Sequence, residues 1–158
     1  MKNEYINAVI ELKKIIQSTN LLYNYRLHIS FLKIIKDRME KNLKEHTFSG
    51  MVVENGMDYS YFHFSSKQLK LKGLKFVFVF DYNSLDYQIW LSGMNRKIQE
   101  KYTAIFKEKK VRLTLTSNPL KTDYILKQVI DLKYTEDEKV LSNILNKYWI
   151  LFQKRVLI

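Results

Sequence analysis

A single α+β domain is the fold this chain predicts, and three observations predict it. Apolar residues recur at three- and four-residue spacing near both ends, the period of a helix buried along one side. Between about residues 48 and 91 the period falls to two, which is the signature of strands. Asn55-Gly56 stands between two such runs, and both positions tolerate the positive φ of a tight hairpin. With 158 residues, 46% hydrophobic and 14% aromatic, the chain has the size and apolar content of one packed domain rather than a disordered segment.

The elements follow in order. Tyr5, Ala8, Val9, Leu12, Ile15 and Ile16 mark an amphipathic helix over 4–17. After a break at Ser18-Thr19-Asn20, Leu27, Phe31, Ile34, Ile35, Met39 and Leu43 mark a second, to about Lys44. Strands 48–54 and 57–64 flank Asn55-Gly56. In the second of them Tyr59, Tyr61 and His63 point one way and Ser60, Phe62 and Phe64 the other. Residues 66–73 form a connector closed by Gly73. Phe76, Phe78 and Phe80 alternate with Val77 and Val79, so that strand is apolar on both faces and central in its sheet. Strand 85–91 then carries Leu85, Tyr87, Ile89 and Leu91 on one face and Asp86, Gln88 and Trp90, with Ser92 beyond, on the other.

A helix over 94–109 is expected to bury Met94, Ile98, Tyr102, Ile105 and Phe106. A short strand at 111–116 and helices at about 121–132 and 136–155 complete the chain, the last opened by a capping box of Thr135 and Glu138. The expected order is αα-ββββ-α-β-αα: one mainly antiparallel sheet of four or five strands, covered by amphipathic helices from both ends. One proline and four glycines leave no linker or repeat.

Composition excludes several chemistries. Without cysteine there are no disulfides, thiolate nucleophiles or Cys-ligated zinc sites. No apolar run approaches the ~20 residues that span a bilayer, and early charges break any signal-like start, so a cytoplasmic location without membrane contact is expected. The net charge is +11, and 22 of the 27 basic residues are lysine. Such a bias is either a functional surface or plain composition. The charge is uneven: residues 94–121 hold eight basic and two acidic groups, more than half of the excess.

The run Tyr87 to Tyr102, containing Trp-Leu-Ser-Gly-Met-Asn-Arg-Lys at 90–97, resembles the central signature of a family of small uncharacterised prokaryotic proteins. The segments 48–50 and 57–62 are similar to that family too. The resemblance implies a family without an assigned function. The element order also resembles the restriction-endonuclease-like fold, whose nucleases hold a divalent metal between an acid on one strand and an acid-x-lysine on the next. Asp81 stands where the first acid belongs, with Asp86 nearby. The second motif reads Gln88-Ile89-Trp90, and Gln88 supplies no negative charge to a metal. That implies at most a degenerate relative.

His28, His46 and His63 share no ligand spacing, and no phosphate loop, nucleophile elbow or metalloprotease string is present. No catalytic residue, metal or cofactor is therefore expected. The strand-to-helix junction at 92–97 remains. A helix start presents free N–H groups and a positive dipole end, with Ser92 as the candidate N-cap. Arg96 and Lys97 in the first turn oppose the dipole unless an anion offsets them. Arg96, Thr103, Lys107 and Lys110 are expected on the solvent face, with Lys97 and Lys101 on a flank. Tyr61, His63, Tyr82, Tyr87 and Trp90 interleave with these charges as candidate stacking groups. The leading expectation is a non-enzymatic module for polyanions, foremost nucleic acid, contacted by Ser92, Asn95, Arg96, Lys97, Lys101, Lys107, Lys110 and Arg112. The competing expectation is a protein-interaction or assembly domain whose basic charge is compositional, of undetermined oligomeric state.

Overall fold

The computed structural model describes residues 2–132 and 137–156. The elements are α1 (Lys2–Ser18), α2 (Leu21–Asn42), β1 (His46–Phe48), β2 (Val53–Asn55), β3 (Tyr59–Ser66), α3 (Lys67–Leu71), β4 (Leu74–Asp81), β5 (Asp86–Gly93), α4 (Arg96–Lys109), β6 (Thr114–Leu115), β7 (Leu126–Ile130) and α5 (Glu138–Val156). The fold is α+β as expected. Its one sheet runs β1-β3-β4-β5-β7-β6, with β2 also on β3, and every pairing is antiparallel.

β4 is central because both of its faces are apolar. Phe76, Phe78 and Phe80 enter the main core with Phe62, Phe64, Ile89 and Leu91, whereas Val77 and Val79 join Trp90 in a smaller cluster on the opposite face. α2 covers one end of the main face, setting His28 4.2 Å from the Phe80 ring and Phe31 edge-on to Tyr87. α5 covers the other end through Leu145, Trp149, Phe152 and Val156, which recur at helical spacing and are all buried. Trp149 stands edge-on to Phe76 at 4.7 Å. α4 adds Tyr102 and Phe106 to the same core.

The Asn55-Gly56 hairpin forms, with Gly56 at φ +58° and the Asp58 amide donating to the Asn55 carbonyl. Its first arm is broken. Ser49 keeps the pairing with His63 through its amide and hydroxyl, but the chain then leaves β3 and buries Val52 before β2 resumes.

The segment expected as a helix at 121–132 is instead β7. Ile125, Leu126, Val129 and Ile130 have helical spacing, yet β5 presents an unpaired edge, and unsatisfied ladder groups are costly. Pairing Tyr87 with Ile130 and Leu91 with Leu126 fills that edge and buries Leu126 and Ile130. The sheet thus gains strands at both margins and has seven among the described residues. In α4, Met94 precedes the helix and is half exposed rather than core, while Thr103 is buried with its hydroxyl on the Gln99 carbonyl rather than facing solvent. Thr135 of the expected capping box lies outside the described residues.

α1 departs most from expectation in its packing, since it does not help to cover the sheet. It is a separate helix: the Ser18 and Thr19 hydroxyls donate back to the Lys14 and Ile15 carbonyls and close it, and α2 restarts with the Asn24 amide on the Asn20 carbonyl. None of its residues is buried.

Candidate functional site: a cleft on the open sheet face

The two faces of the sheet are unlike. Among the described residues, none from a helix enters the cluster of Val77, Val79 and Trp90; the side chains packed over it are Tyr59, Tyr61 and Tyr124. Trp90 stands between Tyr59, edge-on at 5.3 Å, and Tyr124 at 5.4 Å. Its indole N–H donates to Gln88 Oε1 at 2.7 Å, and Gln88 Nε2 donates to Asp86 at 2.6 Å. The Lys127 ammonium lies 5.0 Å from the Tyr124 ring centroid, a cation–π contact. Strand alternation puts all these groups on one side, because Trp90 pairs with Val77 and Lys127 across the ladders and Tyr61 with Val79.

At the α4 end this face deepens into a cleft of about 540 Å³. Tyr59, Tyr61 and Trp90 form its apolar side, and Lys75, Asn95 and Arg96 its polar rim. Two glycines shape the junction beside it. A Cβ at Gly93 would stand 2.7 Å from the Gln99 amide nitrogen, so only glycine fits the β5–α4 turn. Opposite it, Gly73 at φ +69° accepts the Met94 amide on its carbonyl.

The junction is wired to the loop before β7. Ser92 is buried and donates to the Asp123 carbonyl at 2.6 Å. It is therefore not the N-cap; Asn95 is, accepting the Ile98 amide at 3.0 Å. The Gln99 side chain accepts the Gly93 amide and donates to the Thr122 carbonyl. The Arg96 guanidinium donates to the Thr122 carbonyl and, at 2.9 Å, to the Asp123 carboxylate. Amides that a bound anion at this helix start was expected to meet are thus engaged by protein, at Gly93, Met94 and Ile98.

Of the eight expected contact residues, Ser92, Asn95 and Arg96 meet in the cleft. Lys97 and Lys101 are exposed on the outer side of α4, Lys101 lying 5.5 Å from the ring centroid of Tyr102. Lys107, Lys110 and Arg112 are exposed at the far end. At 1.5 Å per residue they stand ~20 Å from Arg96, so these cations do not converge. Tyr82 and Tyr87 face α2, not the cleft. Sequence reasoning missed Tyr59, Lys75, Asp123, Tyr124 and Lys127. Two of them were legible: alternation from Val77 places Lys75 on the open face, and hairpin register puts Tyr59 beside Tyr61.

The cleft is electrically divided. Half-buried Lys75 lies near enough to His63 to help depress the imidazole below its ordinary range, after burial, the larger cause. Burial and then the carboxylates of Asp81, Asp123 and Asp58 raise the Tyr59 hydroxyl above the usual phenol value. Asp81 itself is tied into the β4–β5 turn, accepting the Asn83 amide at 2.8 Å, and Asp86 accepts from Ser84 and Gln88. Among the described residues no group of three or more His, Asp or Glu is arranged to hold a metal ion.

Fold and cleft define a class: a one-sheet α+β domain with one face under helices and the other open and aromatic. The chain belongs to the DUF7000 family, a domain of unknown function, whose model matches residues 5–157. No curated protein and no solved structure matches it. Among the described residues, no helix is long and apolar enough to cross a membrane.

Proposed function

We propose that this protein is a non-enzymatic binding module for nucleic acid, and that unpaired bases are taken up on the open sheet face. The observation that carries the proposal is the platform of half-buried Tyr59 and Tyr61, backed by buried Trp90 and set beside Lys75, left uncovered by any described helix. Aromatic rings on an open sheet stack bases without regard to sequence, contributing ~1–3 kcal/mol each. Lys75, Lys127 and Arg96 supply cations around the platform for the backbone. The carboxylates near Tyr59 repel phosphate but accept hydrogen bonds from exocyclic amino groups of bases. A duplex, whose bases are stacked inward, offers this face only phosphates and suits it less. On this reading the Trp-Leu-Ser-Gly-x-Asn-Arg-Lys string at 90–97 is the signature of the family because it builds one wall of the ligand surface. A cytoplasmic protein is the matching location.

Fluorescence anisotropy of labelled single-stranded oligonucleotides at low salt tests the proposal. Binding is expected to weaken as salt rises, with a log–log slope near about −2 if three phosphates are contacted. Tyr61→Ala should weaken it by about 5- to 150-fold. If single-stranded DNA, single-stranded RNA and duplex all fail to bind at low salt, the reading is wrong.

A further inference from the structure

The helical arm at the start of the chain presents a second surface, independent of any nucleic-acid reading. α1 has no buried residue, and its main neighbour is α2, the next element in the chain. A helix of 17 residues lacking tertiary support is only marginally stable in water. Its apolar residues are nevertheless ordered for burial: Tyr5, Val9, Leu12 and Ile16, with Ala8 and Ile15 beside them, fall within one stripe ~120° wide. Tyr5 is 72% exposed and Leu12 50%.

α2 carries a matching stripe. Its inner face buries Ile29, Leu32, Ile35 and Met39 in the main core. On its outer face Tyr23, Leu27 and Ile34 recur at helical spacing and are all exposed, Tyr23 at 62%. The chain therefore holds two adjacent apolar stripes, and no residue of the first is buried against the second in the same molecule.

We propose that the occupant of each stripe is a second copy of this chain. α1 of one protomer lies along the outer stripe of α2 in its partner, and the partner's arm returns the contact about a twofold axis. Isologous exchange of this kind covers both stripes at once. The area is sufficient. Seven large apolar residues on the two stripes are strongly exposed, and at roughly 100 Å² each they supply about 700 Å² of apolar surface per protomer, against ~800 Å² of total surface per partner in a stable interface, little more than half of it apolar. Charge does not supply the attraction: α1 is net +1 and α2, with five basic and two acidic residues, is net +3, so the apolar stripes carry the contact. A lipid surface would instead favour a helix with a strongly basic polar face.

Sedimentation equilibrium of the full chain decides the matter. The wild type should weigh as a dimer in reversible exchange with monomer. Leu12→Glu and Leu27→Glu, each at an exposed position, should raise the dissociation constant at least about thirtyfold with an unchanged circular dichroism spectrum of the sheet. A wild type that is monomeric across the micromolar range, including one that binds vesicles as a monomer, overturns the proposal. So does a dimer that both variants leave intact. The native chain lacks cysteine, so a mixture of Val9→Cys and Leu27→Cys chains tests the geometry directly under mild oxidation. Disulfides joining V9C to L27C should dominate. A predominance of V9C–V9C or L27C–L27C disulfides would overturn the arm exchange.

Discussion

The two faces of β4 differ by one residue of register and share almost nothing else. Phe76, Phe78 and Phe80 meet α2 and α5 and are sealed by aromatic contacts of the kind that links Phe78 to Phe62 at 5.2 Å. Val77 and Val79 are just as inaccessible, yet what covers them is a layer of rings only one side chain deep. A face closed by helices is committed to stability. A face closed only by half-buried tyrosines remains available to a ligand.

That contrast is open to test by substitution, beginning with its strongest consequence. Phe78→Ala should remove about 3–5 kcal/mol, a large part of the ~5–15 kcal/mol typical of a domain, and urea unfolding should place it near the edge of folding. If Phe78→Ala costs no more than an open-face change such as Tyr61→Ala, the division between the faces is wrong. Gly93→Ala should cost roughly 1–3 kcal/mol, because its Cβ meets the Gln99 backbone rather than a movable side chain. Its thermal midpoint should fall accordingly, and an unchanged midpoint would mean that the junction yields.

Acid should weaken the covered face next. Burial holds His28 and His46 below the ordinary histidine value of 6.5, with Glu45 partly opposing the effect at His46, and His63 is lowered too. The unfolded chain then binds more protons than the native one, so stability is fully present above pH 6.5 and declines as pH falls below it. The ring of His28 lies against Phe80 and its Nε2 is buried without a partner, so His28→Leu should reduce the slope of stability against pH between 6.5 and the acid limit. A slope equal to the wild type's would remove His28 from this account. The smallest effect belongs to the open face. Lys75→Gln should change stability by less than about 0.5 kcal/mol while lowering the salt slope of oligonucleotide binding by about one. Lys107→Gln, at the far end of α4, should change neither. Equal loss in both variants would point to diffuse charge rather than to the cleft.

Much of this molecule was legible because its signals are local. The alternation of phenylalanine and valine in β4, the Asn55-Gly56 turn and the helical spacing of α2, α4 and α5 each depend on residues a few positions apart. Ser92, Asn95 and Arg96 were found for the same reason, since one short junction carries all three. The rest of the candidate site comes from β3, β4 and the segment before β7, brought together only by strand pairing. Spacing alone made residues 121–132 helical, and it gave no sign that Arg96 and Gln99 would bind the Thr122 carbonyl.

The sequence by itself determined the fold class and the doubly apolar central strand, because backbone preference and periodicity are written in neighbouring residues. Tertiary structure decided which sheet face stays open, that residues 126–130 become a strand, and that the stripe of α1 finds no core to enter. Each of those outcomes turns on which edges and surfaces remain unsatisfied once the other elements have packed, a property of the whole assembly of elements that no short window of the chain contains.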